Sequence, residues 1–163
     1  MRTQFILLHK RCWFVTNTNQ IIFYNSLSLS LIAKGKNDEA IKYLNQALKY
    51  EPHNIFVLNN LGLIYLNLNI LDKAKFYFDE SLKIKPDFFD ALINYGNLFL
   101  NKNNNNQASA ILDKAFNAAK SDLQKETALL ALGNSYQQAG NFLKAEEIYR
   151  QILEINSQNT KAD

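Results

Sequence analysis

A period of 34 residues runs through most of this 163-residue chain and constrains its fold more than any other feature. Pro52 and Pro86 lie 34 residues apart, and so do Gly62 and Gly96. A fixed period of this length indicates a repeat architecture, in which each repeat is one supersecondary unit that packs on its neighbours. Apart from a short insertion at residues 123–125, the period divides the chain into four blocks: 21–54, 55–88, 89–122 and 126–159.

Residues of similar type occupy fixed columns when the four blocks are aligned. One column holds alanine: Ala40, Ala74, Ala108 and Ala145. A second column holds leucine or an aromatic residue: Leu31, Tyr65, Phe99 and Tyr136. The five glycines fall into two columns, with Gly62, Gly96 and Gly133 in one and Gly35 and Gly140 in the other. Because every glycine and both prolines fall into register, the period is a property of the structure and not a coincidence.

Each block has the pattern of two helices. In the second block, an apolar stretch at 55–68 is followed by a polar break at Asn69 and a second stretch at 71–85. Pro86 ends the second stretch, because proline disfavours the helical conformation in the residue before it. Glycine stands at the equivalent break in the first and last blocks, where a left-handed residue is useful. The sequence therefore predicts eight helices, no strands and short loops.

The aligned blocks resemble the tetratricopeptide repeat, whose motif is W-x2-L-G-x2-Y, then A-x3-F, then P. The second block carries this motif with leucine in place of tryptophan: Leu58, Leu61, Gly62, Tyr65, Ala74, Phe78 and Pro86. The resemblance covers residues 21–159 and implies an all-α, right-handed superhelix of about four tandem helix–turn–helix repeats. Residues 1–20 are then expected to be an N-terminal tail or a degenerate helix, and residues 160–163 a C-terminal tail. In such a helix pair, Gly62 is expected to meet Ala74.

Charged residues are absent from the first helix of each block. The uncharged stretches are 21–33, 54–71, 91–101 and 127–143, and nearly all Lys, Arg, Asp and Glu lie on the second helices and loops. The family resemblance implies that first helices line the concave face of the superhelix, which is the extended binding surface of a solenoid. We therefore expect a nearly neutral groove that is built from asparagine and apolar side chains.

The asparagines of this groove are the candidate ligand-binding residues. An asparagine side chain offers one acceptor and two donors, which matches a peptide group. The arrangement is similar to the asparagine ladder of the repeats in O-linked N-acetylglucosamine transferases. The alternative is that the chain is simply rich in asparagine, as residues 103–106 show. The predicted peptide-binding residues are Asn25, Asn59, Asn60, Asn94, Asn97 and Asn134, with the apolar neighbours Phe56, Leu63, Ile93 and Leu130.

Several function classes do not fit this sequence. A carboxylate clamp for chaperone tails needs Lys and Arg on the first helices, and nucleic-acid binding needs a basic groove. His9 and His53 form no ligand or triad motif, and there is no glycine-rich phosphate loop. Because Cys12 is the single cysteine, a multi-cysteine zinc site is excluded. We therefore expect no catalytic activity, cofactor, metal or nucleic-acid partner.

The two ends of the chain leave alternatives open. The expected location is cytoplasmic. The alternative is an organelle, if residues 1–20 are a presequence, because residues 1–37 contain five basic and no acidic side chains. No stretch of about 20 apolar residues exists, so no membrane span is expected. The last block has no room for a capping helix, which predicts self-association through an uncapped C-terminal helix or a fragment of a longer array. The residues expected to be partly exposed there are Phe142, Ile148, Ile152 and Ile155.

The sequence thus predicts a non-catalytic scaffold that binds a protein or an extended peptide in a neutral groove. One alternative is an assembly factor or scaffold subunit of a membrane-associated complex, of the pilus or photosystem biogenesis type, where similar repeats occur. Another is the substrate-binding part of a larger enzyme.

Overall fold

The structure is a computed structural model that describes residues 19–159, and this part of the chain is all-α without a strand. The eight helices are α1 (residues 19–33), α2 (Asn37–Tyr50), α3 (Ile55–Asn67), α4 (Leu71–Ile84), α5 (Phe89–Asn101), α6 (Asn105–Ala118), α7 (Asp122–Gln138) and α8 (Phe142–Asn159). The predicted fold class, a solenoid of tandem helix pairs, is confirmed. The expectations for 1–20 and 160–163 fall outside the described residues, except that residues 19 and 20 belong to α1.

The turn between the two helices of each block uses one left-handed residue. Gly35 and Gly140 have φ of 71° and 74°, as the sequence predicts, and the equivalent residues Asn69 and Asn103 have φ of 58° and 54°. Asparagine tolerates this conformation better than most other residues with a Cβ atom. In all four turns the next backbone N–H donates to the carbonyl oxygen five residues earlier, at 2.8 to 2.9 Å. This bond satisfies a terminal carbonyl group of the first helix and ends it at the same point in every block.

A glycine on the first helix leaves room for a large side chain of the second helix. A Cβ atom built on Gly62 would lie 2.5 Å from Cε1 of Phe78, so the atoms nearest to that position belong to Phe78, and the contact of Gly62 with Ala74 stays a prediction. Long side chains on a helix lean toward its N-terminus, so the Phe78 ring extends back along α4 toward the turn that holds Ala74. The same contact recurs in the later blocks: Gly96 with Leu112, and Gly133 with Tyr149.

The three-residue insertion lengthens one helix. Helix α7 has 17 residues, whereas the first helices α3 and α5 have 13 each. Residues 123–125 lie inside α7, which begins after the N-cap residue Ser121, whose hydroxyl accepts a hydrogen bond from the Gln124 backbone N–H at 3.2 Å. The insertion therefore adds a helical turn at the start of the last block and leaves the helix pairing after it unchanged.

Contacts between blocks show which side of the solenoid is concave. The first helices of successive blocks touch each other: α3 contacts α5, and α5 contacts α7. By contrast, α2, α4, α6 and α8 make no contact with one another in the described structure. Helices that are closer together lie on the inner side of the curve, so the first helices form a groove and the second helices the outer surface. None of the helices within residues 19–159 is long and apolar enough to cross a membrane.

The last helix buries one residue that the sequence predicts to be partly exposed. Ile152 is 7% exposed, and Ile148 and Ile155 are half-buried against α7, so the prediction of a partly exposed Ile152 is wrong. Phe142 is exposed, as predicted. The reason is the helical period: residues 145, 148, 152 and 155 share one side of α8, and this side packs on α7.

Candidate peptide-binding site

Equivalent residues are compared most easily by their position, from 1 to 34, within each block. Position 5 is occupied by Asn25, Asn59, Ile93 and Leu130 in the four blocks. Position 6 is occupied by Ser26, Asn60, Asn94 and Ala131. Position 9 is occupied by Leu29, Leu63, Asn97 and Asn134. All three positions lie on the first helices, and the predicted asparagines fall at these positions alone.

The asparagines at positions 5 and 6 bond to each other across neighbouring blocks. Asn60 Nδ2 donates to Asn25 Oδ1 at 2.7 Å, and Asn94 Nδ2 donates to Asn59 Oδ1 at 3.0 Å. Asn59 and Asn60 are only 6% and 7% exposed, whereas Asn25 and Asn94 are half-buried. Each bond ties one first helix to the next, from α1 to α3 and from α3 to α5.

The third junction between blocks has no such pair. Its position-5 residue is Ile93 and its position-6 residue is Ala131, and both pack against the hydrophobic cluster that contains Leu112, Leu129 and Leu132. An apolar pair therefore replaces the amide pair where α5 meets α7. Both members differ together, which avoids leaving one polar group buried without a partner.

These bonds change the role expected for four of the predicted residues. Asn25, Asn59, Asn60 and Asn94 have part of their hydrogen-bonding capacity occupied within the protein, and Asn59 and Asn60 have little surface left for a ligand. Asn25 keeps its two N–H donors and Asn94 keeps its carbonyl oxygen. The sequence contains the signal for this pairing, since Asn25 and Asn60, like Asn59 and Asn94, are 35 residues apart, which is one period plus one residue.

The asparagines at position 9 are oriented differently. Asn97 is half-buried on α5, and its side chain has no hydrogen bond to the described residues. Asn134 is exposed on α7, and the Tyr149 hydroxyl lies 3.0 Å from its Oδ1 and 3.2 Å from Gln137 Oε1. Because the tyrosine occupies the oxygen of Asn134, the amide N–H groups of Asn134 are the ones available to a ligand.

Apolar side chains are exposed on the same helices. Phe56 and Leu130 are 53% and 45% exposed, while Leu63 and Ile93 are half-buried. The Phe56 ring is held edge-to-face against Phe88, with ring centroids 5.2 Å apart. Two further exposed residues of α1 extend this surface beyond the predicted set: Ile22 and Leu29. They occupy positions 2 and 9 of the first block, in the same stripe of the repeat alignment as Phe56 and Leu63.

Charge is nearly absent from the groove. Positions 2, 5, 6 and 9 of the four first helices contain a single charged residue, Asp90, which is exposed near the start of α5. The ion pairs of the described residues lie away from these four positions. On α7, Lys125 Nζ lies 3.2 Å from Asp122 Oδ1, before the first of these positions. On α4, Lys75 Nζ lies 2.6 Å from Asp79 Oδ2, which raises the pKa of Lys75 to about 12. The Tyr95 hydroxyl donates to the other oxygen of Asp79 at 2.7 Å and so links α5 to α4. No cluster of three metal-ligating side chains occurs within residues 19–159.

Comparison with known families matches the blocks of this chain. A model described as "TPR repeat" matches residues 29–69. Models described as "Tetratricopeptide repeat" match residues 55–88, 89–122 and 126–159. No curated protein sequence matches the chain.

Solved structures with the same fold include bacterial proteins. The structure of Pseudomonas aeruginosa pilF has a TM-score of 0.81 and is 18% identical to this chain. The alignment covers 87% of this chain and 64% of the pilF chain. BtubC from P. vanneervenii has a TM-score of 0.76 at 20% identity and covers 86% of this chain and 64% of its own. PilW, described as a widely conserved type IV pilus biogenesis factor, has a TM-score of 0.76 at 27% identity and covers 85% of this chain and 63% of its own. This chain thus spans less than two thirds of the length of each of these proteins.

Proposed function

The chain belongs to the tetratricopeptide repeat family, and on this premise we propose that it is a non-catalytic scaffold that binds an extended, mostly apolar peptide segment of a protein partner. The binding site is the groove formed by α1, α3, α5 and α7. The observation that carries the proposal is the combination of exposed apolar side chains with the near absence of charge at positions 2, 5, 6 and 9 of these helices.

The two halves of the groove have different chemistry. The half formed by α1 and α3 exposes Ile22, Leu29 and Phe56, which suit the apolar side chains of a ligand. The half formed by α5 and α7 carries the amides of Asn97 and Asn134, which suit the main chain of the ligand. A peptide in extended conformation alternates main-chain polar groups with side chains, so it can use both kinds of contact along one groove.

The predicted asparagines divide into two roles under this proposal. Asn97 and Asn134 donate hydrogen bonds to the ligand, and the carbonyl oxygen of Asn94 accepts one. Asn59 and Asn60 fix the spacing of the first helices, because they are buried and bonded between blocks. The groove therefore binds the main chain of the ligand through few residues. It discriminates between partners mainly by the apolar side chains of the ligand.

Participation in a membrane-associated assembly is the second candidate function. The similarity to pilF and to the pilus biogenesis factor PilW favours this setting. In that case the peptide segment in the groove belongs to another component of the assembly, and the binding chemistry is the same.

The experiment is a binding screen with matched aromatic variants. Fluorescence polarisation with a library of labelled peptides, which differ in charge and in apolar content, identifies the preferred class. Phe56→Ser is compared with Phe76→Ser, because Phe56 and Phe76 are exposed to similar extents, 53% and 57%, but Phe76 lies on the second helix α4. We expect apolar peptides to bind, Phe56→Ser to weaken binding roughly tenfold or more and Phe76→Ser to leave it unchanged.

The amides and the charge of the groove give two further readouts. The double variant Asn97→Ala with Asn134→Ala should weaken binding by about 1–3 kcal/mol, from about 0.5–1.5 kcal/mol for each lost hydrogen bond. Binding should change little with salt concentration, because the groove holds almost no charge. Selection of strongly acidic or basic peptides with a steep salt dependence, or equal losses in Phe56→Ser and Phe76→Ser, would contradict the proposal.

A further inference from the structure

A cavity lies between two second helices at the second junction, on the outer surface of the solenoid. Helices α4 and α6 make no contact with each other in the described structure, and α5, which contacts both, forms the floor of the gap. The cavity has a volume of about 370 Å³, and its apolar walls include Leu82 of α4, Leu92 of α5 and Ile111 of α6. All three helices belong to the second and third blocks, so other blocks of the chain lie on both sides of the cavity.

The junctions on either side have an aromatic residue where this cavity is open. The cavity lies between position 28 of one block and position 23 of the next, which are Leu82 and Ile111. At the first junction, position 23 is Tyr77, and at the third junction, position 28 is Phe116, and both pack against the core. The second junction has no ring at either position. Since an apolar cavity of roughly 150 Å³ already holds benzene, this one has room for a ring from outside the chain.

Tyr95 gives the cavity an aromatic wall. Its position in the repeat, position 7, is leucine in the other three blocks: Leu27, Leu61 and Leu132. The Tyr95 hydroxyl donates to Asp79 Oδ1 at 2.7 Å, and this bond fixes the direction of the side chain. A ring in the cavity can therefore pack against an aromatic side chain that is already held in place, and such pairs are stabilised beyond the area that they bury.

The charges around the cavity leave one cation without a partner. Asp79 is paired with Lys75, and Lys83 is paired with Glu80. Lys114 also lines the cavity, from α6, and is exposed without an ion pair to any of residues 19–159. Lysine stands at position 26 in this block alone, since the other blocks hold Gln46, Glu80 and Gln151. The unpaired positive charge at the rim suits a carboxylate.

We propose that this cavity binds an aromatic ring that carries a carboxylate group. The ring lies between Leu82 and Ile111 and packs against Tyr95, and the carboxylate pairs with Lys114. A free aromatic acid and the C-terminal aromatic residue of a polypeptide share this chemistry. Because the cavity is on the outer surface, its ligand does not compete with a peptide in the groove, and the proposal is independent of the function proposed above.

The test titrates isotope-labelled protein with phenylpropionate and follows the amide chemical shifts by NMR. We expect saturable binding with a Kd of roughly 1 mM or below, with the shifts concentrated in α4, α5 and α6. Phenylpropionamide has the same ring without the charge and should bind roughly two- to fivefold more weakly. Hexanoate has the charge without the ring and should show no saturation in the same range. A short peptide that ends in phenylalanine with a free carboxylate is titrated in parallel, and the tighter of the two aromatic ligands identifies the source.

Two variants replace one half of the site each with a residue from another block. Leu82→Phe introduces the residue that position 28 has in the third block, so it should fill the cavity and abolish binding while the thermal unfolding midpoint stays unchanged or rises. Lys114→Gln introduces the residue that position 26 has in the first and last blocks, and should remove the difference in affinity between phenylpropionate and phenylpropionamide. Lys42→Gln, at an exposed site on α2, is the matched control and should preserve this difference.

Three results would overturn the proposal. The first is the absence of saturable binding of both aromatic carboxylates up to roughly ten times the expected Kd. The second is binding of hexanoate as tight as that of phenylpropionate, because the ring would then have no role. The third is an unchanged preference for phenylpropionate over its amide in Lys114→Gln, which keeps its fold because the side chain is exposed.

Discussion

The junctions between blocks differ in how they hold neighbouring first helices together. At the first two junctions, an asparagine of one block accepts a hydrogen bond from an asparagine of the next. At the third junction, Ile93 and Ala131 stand at the same positions within a hydrophobic cluster. The same backbone arrangement thus accepts either a bonded amide pair or an apolar pair. The asparagines at positions 5 and 6 therefore connect neighbouring first helices, whereas the asparagines at position 9 make no bond to another first helix.

The largest effect on stability should come from a contact inside one helix pair. This contact lies within a block and takes no part in the junctions between blocks. Gly62→Leu should lower the free energy of unfolding by about 3 kcal/mol or more, because the added side chain meets the Phe78 ring where a Cβ atom alone would be 2.5 Å away. Thermal or urea unfolding measures this loss. Asn117→Ala, at an exposed site on α6, is the control and should change stability little. Equal losses in both variants would show that the helices are paired in a different register.

A polar residue placed in the apolar junction should cost less, and its partner should rescue it. Ile93→Asn brings an unpaired amide into the cluster and should destabilise the protein by about 2 kcal/mol. Adding Ala131→Asn reproduces the pairs of the earlier junctions and should recover about 1 kcal/mol of this loss. Urea unfolding of the two variants measures the recovery. No recovery in the double variant would mean that α5 and α7 are spaced differently from the earlier first helices.

The second helices also differ between blocks, at the position of Asp79 and Asp113. This difference predicts a small, pH-dependent effect on the free energy of unfolding. Asp79 at the second junction is bonded to Lys75 and Tyr95, whereas at the equivalent position of the third block burial raises the pKa of Asp113, against the opposing effect of Lys144. A carboxyl group with a raised pKa in the folded state favours folding when protonated, and this contribution is lost as the pH rises through that pKa. Asp113→Asn should therefore increase stability at neutral pH and change it little near pH 3.

The effect of Asp113→Asn should be small, because the residue remains accessible to water and solvent screens its charge. Urea unfolding at acidic and neutral pH measures it, with Asp79→Asn as the contrast. Asp79→Asn removes the charge that pairs with Lys75 and one of the two acceptor oxygens, so it should lower stability at neutral pH. An Asp113→Asn variant that is less stable than the unchanged chain at neutral pH would contradict the assigned direction.

The sequence was sufficient for the fold and for the composition of the groove. The 34-residue period, the glycines at the left-handed turns and the scarcity of charge at the groove positions of the first helices all follow from local rules that act within one block. What local rules could not supply was the partner of each side chain. The close approach of the Phe78 ring to Gly62 depends on the direction in which a helical side chain leans. The asparagine pairs depend on how far one block is displaced against the next, which a period alone does not determine.

The double-mutant cycle of Asn59 and Asn94 tests the central claim most directly. Asn94→Ala leaves the buried carbonyl oxygen of Asn59 without its donor, and should cost about 1–3 kcal/mol in the free energy of unfolding. The double variant Asn59→Ile with Asn94→Ala transfers the apolar pair of the third junction to the second, and should be more stable than the sum of the single variants predicts, by about 1 kcal/mol. Additive losses, with no coupling between the two positions, would contradict the claim that these asparagines act as one structural pair.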